Sequence, residues 1–227
     1  MKHLLFPTGV WQGNRNVTQQ EKTDWFNAYL ENSNEDGISM DFLGYQSFHK
    51  LPQFENIFKD IITNVNNYLD SLSIDNSNLQ LYITKSWVNV KTTSGNPKHD
   101  HCENHISFTY YPHINQQYSN DLRFYRQGRS TPNEPYFGFL EDIITDWTPD
   151  NCKSFAIPIS EGDIVVFPAN LSHSTEGEDY LESFTTLRAL QKSRFCVGGD
   201  ILITRKTTER YDKLLPPLDN WLTFNWL

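Results

Sequence analysis

The chain has 227 residues and a formal net charge of −9, and 37% of its residues are hydrophobic and 14% aromatic. This length and apolar content suffice for one sizeable core, so a single domain over residues 1–227 is expected and extensive disorder is not. The negative charge argues against duplex nucleic acid as a partner, because no dense run of Lys and Arg offsets it.

The cysteines and the N-terminus indicate the compartment. Cys102, Cys152 and Cys196 are far apart in sequence and form no C-x-x-C pair, which favours a reducing environment. The first residues lack the apolar segment of a signal peptide, and no stretch has the length of a membrane span. A cytoplasmic location without membrane association is therefore predicted.

Two helices are predicted in the N-terminal third. Thr18 followed by Glu21 forms a capping-box pattern, after which apolar residues fall on one face of a short helix. Pro52 precedes a second helix, whose apolar residues recur at helical spacing as far as Leu69. These helices form a predicted buttress over about residues 15–72.

Strands are predicted over most of residues 79–205. Leu79, Leu81 and Ile83 alternate with polar residues, and the alternation then changes phase, which predicts a bulge near Ser86 and Trp87. Further strands are predicted at roughly 105–112, 121–126, 153–159, 163–167, 171–175 and 193–204. The pattern indicates an α+β protein in which helices cover one face of a β-sandwich or barrel.

Three other segments, two of them polar and one apolar, have compositions that differ from the rest of the chain. Residues 127–150 and 174–183 are rich in turn-forming residues and are predicted to be surface excursions that contact a substrate. The tail at 206–227 is rich in Leu and Trp, so it is predicted to dock on the domain or on a second copy, as in a homodimer.

Three histidines carry the strongest functional signal. His99 and His101 point to the same side of an extended chain, so both imidazoles can reach one metal ion. His173, from a distant predicted strand, would close one face of an octahedron and leave positions for a 2-oxo acid and dioxygen. Two alternatives remain, namely ordinary surface histidines or a zinc site that uses Cys102, although the second half of a zinc motif is missing.

Several short motifs, in order and spacing, resemble those of phage and bacterial 2-oxoglutarate and Fe(II)-dependent oxygenases that are distantly related to prolyl hydroxylases. The motifs are Leu-Phe-Pro-Thr at 5–8, Ser-Trp at 86–87, His-Asp-His at 99–101, Ile-Ser-Phe-Thr-Tyr-Tyr at 106–111, Asp-Leu-Arg-Phe at 121–124, Glu-Gly-Asp-Ile-Val-Val-Phe-Pro at 161–168, His173, and Arg-Phe-Cys-Val-Gly-Gly-Asp-Ile at 194–201. The resemblance implies a double-stranded β-helix of the jelly-roll or cupin-like kind.

The resemblance makes His99, His101 and His173 the predicted metal ligands and catalytic centre. The wider superfamily has a His-x-Asp pair, whereas here the carboxylate of Asp100 lies between the two histidines. Three ligand sets remain open: the three histidines together, Asp100 turned inward, or His101 paired with Glu103. The first is favoured, and it would leave the iron site one unit more positive.

The resemblance also implies a 2-oxoglutarate site. Arg194 would bind the distal carboxylate, since its planar guanidinium can donate two parallel hydrogen bonds; Arg188 is the fallback. Cys196 stands where related proteins have a hydroxyl residue, and a thiol is the weaker donor. Tyr111 shares a strand face with Ser107 and Thr109, and it is a predicted second contact.

The implied function is hydroxylation of an unidentified substrate with Fe(II), 2-oxoglutarate and O2 as cofactor and cosubstrates. A protein side chain such as prolyl and a small molecule are both candidate substrates, and a phage-encoded enzyme would act in the host cytoplasm. Two rival hypotheses are a cupin-like metalloprotein without 2-oxoglutarate chemistry and a non-catalytic binding protein with the same barrel.

Overall fold

The computed structural model describes residues 8–33, 45–92, 95–117, 121–126, 144–175, 184–207 and 214–222. Its α-helices over these residues are α1 (Gln19–Asn32), α2 (Glu55–Ser71) and α3 (Leu187–Leu190). Its strands are β1 (Trp11–Asn14), β2 (Leu79–Lys91), β3 (Asn96–His99), β4 (Ile106–His113), β5 (Leu122–Tyr125), β6 (Ser154–Ile157), β7 (Asp163–Pro168), β8 (His173–Thr175) and β9 (Arg194–Arg205).

The strands form two antiparallel sheets. The larger sheet has the order β1-β7-β4-β9-β2, and the smaller has the order β3-β8-β5-β6. The α+β prediction and the double-stranded β-helix are both confirmed. Neither strand β1 nor the short helix α3 was predicted, and the irregularity in β2 falls between Ile83 and Lys85 rather than at Ser86 and Trp87.

Helix α1 begins as predicted, but only half of its capping box forms. The Thr18 hydroxyl accepts a hydrogen bond from the Glu21 backbone N–H at 3.1 Å. The Glu21 carboxylate instead accepts hydrogen bonds from Arg15, at 2.6 Å, and from the Tyr110 hydroxyl. This partly buried ion pair joins the start of α1 to strand β4 of the larger sheet.

The apolar residues form two cores, one on each face of the larger sheet. Helices α1 and α2 cover the outer face, where Trp25 stacks on Phe54 at 3.7 Å and also packs on Phe195. The second core lies between the sheets and contains Tyr111 and Phe167. Alternation along β4 therefore separates the residues beneath the helices from those that face the inter-sheet space.

A Gly-Gly step in β9 lets aromatic rings approach both faces of the larger sheet. A Cβ at Gly198 would lie 2.8 Å from the Trp87 ring, and a Cβ at Gly199 would lie 2.3 Å from Phe108. Phe108 packs in the helix-covered core, and Trp87 lines the cleft between the sheets. The absence of side chains at this step thus leaves room for both rings.

The predicted excursions and tail are described only in part. Residues 127–143 and 176–183 lie outside the described residues, and so do 208–213 and 223–227 of the tail. In the described part of the tail, Leu215 bridges to Thr204, whereas Trp221 and Leu222 are exposed. Among the described helices, none combines the length and apolar character required to cross a bilayer.

Replacement of Phe195 by alanine is expected to lower the free energy of unfolding by ~3–5 kcal/mol, because this ring is fully buried beneath α1. Urea unfolding followed by circular dichroism measures the change. Leu222→Ala is the control, since that side chain is 76% exposed and its loss should change stability by less than ~0.5 kcal/mol. Equal midpoints for the two variants would contradict this description of the core.

Candidate metal site and adjoining cleft

Three histidines converge at one end of the smaller sheet. His99 ends β3 and pairs directly with His173, the first residue of β8, while His101 lies two residues beyond His99. One potential ligand atom from each histidine lies within 4.8 Å of the others. The three predicted metal ligands are thus brought together.

Each of these histidines uses its Nδ1 atom for a hydrogen bond to an oxygen. His99 Nδ1 lies 2.7 Å from the Pro97 carbonyl and His173 Nδ1 lies 3.0 Å from the Leu171 carbonyl. His101 Nδ1 lies 2.7 Å from an oxygen of the Asp200 carboxylate. Because all three acceptors require a donor, Nδ1 carries the proton, and Nε2 is the nitrogen of each ring that could bind a metal.

The protonation state of His173 suits a metal ligand. Burial, together with the neighbouring His99 and His101, lowers the pKa of His173 to about 3. The imidazole is therefore neutral at physiological pH, and a ligand nitrogen must be unprotonated before it can bind a cation.

The alternative ligands considered for this site point elsewhere. Asp100 is exposed, and its carboxylate accepts hydrogen bonds from the Cys102 thiol at 2.9 Å and from Ser172 at 3.4 Å. Glu103 is also exposed and lies 3.7 Å from the Lys85 ammonium. Neither carboxylate nor the Cys102 thiol joins the histidine cluster, so the geometry favours the all-histidine set.

Sequence reasoning missed Asp200, which lies behind His101. Its carboxylate is fully buried, accepts a hydrogen bond from Ser107 at 2.6 Å and pairs with Lys85 at 3.2 Å. Burial alone would raise the pKa of Asp200, but the bonds from His101 and Ser107 and the charge of Lys85 hold it below its ordinary value. The available signal was a carboxylate between the apolar residues Val197 and Ile201 of strand β9.

The histidines border a small cleft between the two sheets. Its lining consists of Trp87, Asn89, Asn96, His99, His101, Phe108, Thr109, Tyr111, Leu122, Phe167, His173, Thr175, Arg194, Cys196 and Gly198. All six predicted site residues are in this set, whereas the fallback Arg188 is exposed on α3.

Arg194 gives the cleft a buried positive charge. The residue is 4% exposed and, within the part of the chain that the structure describes, it forms no ion pair. A desolvated guanidinium without a carboxylate partner strongly favours an anionic ligand. Burial raises the pKa of the nearby Tyr111 hydroxyl above its ordinary value, so this group stays protonated and can donate to the same anion.

His173→Ala is expected to weaken the binding of a divalent ion such as Co(II) by more than ~100-fold, because loss of a ligand should exceed the effect of losing an outer-shell partner. Calorimetric titration of the apoprotein measures this change. His105→Gln is the control, since His105 is close to His101 in sequence but is not part of the cluster. Unchanged Co(II) affinity in His173→Ala would exclude this histidine as a ligand.

The sequence from 85 to 181 matches a protein-family model described as "Putative 2OG-Fe(II) oxygenase". This segment contains all three histidines. A search among curated proteins gave no match.

Two solved structures of EctD from S. alaskensis support the same fold at low identity. EctD in its apoform is 15% identical with a TM-score of 0.50, and the alignment covers 92% of this chain and 80% of that chain. EctD with bound Fe is 13% identical with a TM-score of 0.50, with 92% and 76% covered. An oxidoreductase of the 2OG-Fe(II) oxygenase family from Burkholderia pseudomallei is 11% identical with a TM-score of 0.42, with 67% and 57% covered.

Neither the phage origin nor the relation to prolyl hydroxylases is tested by these likenesses, and both stay predictions. The matched segment holds the histidine cluster, and the surrounding fold is the double-stranded β-helix. Over residues 85–181, which make up less than half of the chain, the sequence is thus similar to the 2-oxoglutarate and Fe(II)-dependent oxygenases, a family that uses Fe(II), 2-oxoglutarate and O2.

Proposed function

We propose that the enzyme hydroxylates an organic substrate while it converts 2-oxoglutarate to succinate and carbon dioxide. The observation that carries this proposal is the position of Arg194, a buried cation in the cleft that the three histidines border. A metal centre alone would need no such residue. A dicarboxylate that binds the metal at one end and an arginine at the other accounts for both features.

The ligand set fits Fe(II). Three neutral imidazoles on one side of an ion leave the other side for further ligands, which open non-haem iron sites require. In the proposed complex the Nε2 atoms of His99, His101 and His173 would hold the iron. When bound, iron, 2-oxoglutarate and O2 supply the oxidising chemistry, in which one oxygen atom goes to succinate and the other to the hydroxylated product.

The chain's own residues position the cosubstrate. Arg194 binds the distal carboxylate through its planar guanidinium, and Tyr111 donates its hydroxyl to the same group. Cys196 lines the cleft with its thiol beside the Tyr111 hydroxyl. Because a phenol is the stronger donor, Tyr111 takes over the hydrogen bond that a hydroxyl residue at position 196 would make.

The lining of the cleft also protects the reaction from water. Phe167 packs on His173 at 4.8 Å, and Trp87 packs near His101 at 5.4 Å. These rings exclude water from the inner side of the proposed ligand histidines. A reactive centre with apolar walls favours attack on a bound substrate over side reactions with solvent.

Arg194 also separates this proposal from its rivals. A cupin-like metalloprotein without 2-oxoglutarate would not explain the buried arginine in the cleft. A non-catalytic barrel would not explain the three converging histidines. The substrate itself stays open between a protein side chain, with prolyl as one candidate, and a small molecule. The prediction that residues 127–150 and 174–183 contact it concerns segments that lie largely outside the described residues.

Anaerobic addition of Fe(II) and then 2-oxoglutarate to the apoprotein is expected to produce the weak visible charge-transfer band of a chelated 2-oxo acid. Arg194→Ala should raise the dissociation constant for 2-oxoglutarate by ~10–100-fold, since it removes charge-assisted hydrogen bonds worth ~1.5–3 kcal/mol each. Titration followed by the band measures both values.

Arg188→Ala is the matched control, because Arg188 is exposed and lies outside the cleft lining. Its titration should coincide with that of the native protein. Iron binding without a charge-transfer band would favour the cupin-like alternative, and an equal loss of affinity in both arginine variants would remove the assigned role of Arg194.

A further inference from the structure

The three histidines differ in the oxygen that each one contacts. Backbone carbonyls accept the hydrogen bonds of His99 and His173, whereas His101 is held by the carboxylate of Asp200. A carbonyl fixes the tautomer and orientation of an imidazole, and a carboxylate does the same while it also adds a negative charge. His101 therefore has a partner of a different kind from the other two.

This difference matters because the candidate ligand set has no charge of its own. The facial triad of non-haem iron enzymes contains one carboxylate, which offsets part of the charge of the ion. Three neutral imidazoles leave that charge in place, and the Asp100 and Glu103 carboxylates point away from the cluster. Among these neighbours, Asp200 alone is linked to a cluster histidine by a hydrogen bond.

The surroundings of Asp200 direct its charge toward His101. Oδ1 accepts from Ser107 at 2.6 Å and lies 2.7 Å from His101 Nδ1, so both contacts are on the same oxygen. Lys85 lies 3.2 Å from the other oxygen, but it is 28% exposed and also faces Glu103. Water and the second carboxylate therefore screen the lysine, while the Asp200 side chain is fully buried and that of His101 is 12% exposed.

We propose that Asp200 is a positioning residue that supplies, through His101, the negative charge that the all-histidine ligand set lacks. Asp200 thereby strengthens metal binding and favours the ferric over the ferrous ion. The inference rests on the proposed function, because it requires the three histidines to bind iron. Asp200, which is not a metal ligand, thus supplies the negative charge that a carboxylate ligand supplies in other non-haem iron sites.

Asp200→Asn separates charge from orientation. The amide oxygen of asparagine can still accept from His101 and Ser107, so the imidazole keeps its direction while the negative charge is lost. Co(II) affinity is expected to fall ~10–100-fold, the range typical for loss of an outer-shell partner. The midpoint potential of the Fe(III)/Fe(II) couple should rise, and calorimetry and redox titration measure the two quantities.

Two further variants complete the test. Asp163→Asn is the control, since Asp163 is also a buried carboxylate with hydrogen bonds, but it contacts Gln12 and Asn14 rather than the cluster. In Asp200→Asn the new amide NH2 group would lie beside the Lys85 ammonium, and both groups are donors. The double variant Asp200→Asn with Lys85→Gln removes this unfavourable contact. This double variant should fold and show the same weaker binding.

The outcomes distinguish this inference from the proposed function. If the native protein does not bind Co(II) or Fe(II), the metal site itself is wrong. If it does bind, an Asp200→Asn protein with native affinity and native potential overturns the inference, and so does an equal change in Asp163→Asn. Failure of both Asp200 variants to fold would make Asp200 a determinant of the fold and would likewise overturn it.

Discussion

The antiparallel pairing of β3 with β8 is the constraint on which the site depends. It sets His99 directly opposite His173, and the hydrogen bond of 2.8 Å from the His101 backbone N–H to the Ala169 carbonyl fixes the chain that follows. A shift of the pairing by one residue would turn one imidazole to the other face of the sheet. The position of the metal site therefore follows from backbone register, and the side-chain hydrogen bonds then orient each ring.

The larger sheet makes this arrangement possible because its two faces differ in character. Its outer face packs against α1 and α2 with aromatic residues, while its inner face presents Tyr111, Arg194 and Cys196 to the cleft. Residues that stabilise the fold and residues that line the cleft therefore alternate along the same strands. The Gly198–Gly199 step allows large rings on both faces at the level of the histidines.

Much of this could be predicted from sequence because the signals are local. Alternating residues gave most strands, the capping pattern gave the start of α1, and the spacing of His99 and His101 indicated one metal ion. The sequence favoured His101 over the Asp100 side chain but left both possible, since the local alternation of side chains depends on contacts with Ala169 and Ser172. Asp200 was missed for the same reason: it lies 99 residues from His101, and only the pairing of β4 with β9 brings it to the site.

We propose that three histidines, with Asp200 behind one of them, form an iron site beside a carboxylate-binding arginine. The decisive measurement is an anaerobic crystal structure of the protein with Fe(II) and 2-oxoglutarate. The iron should be bound by Nε2 of His99, His101 and His173, and the distal carboxylate of 2-oxoglutarate should lie on Arg194. Coordination of the iron by Asp100 or Glu103, or a distal carboxylate that is far from Arg194, would contradict it.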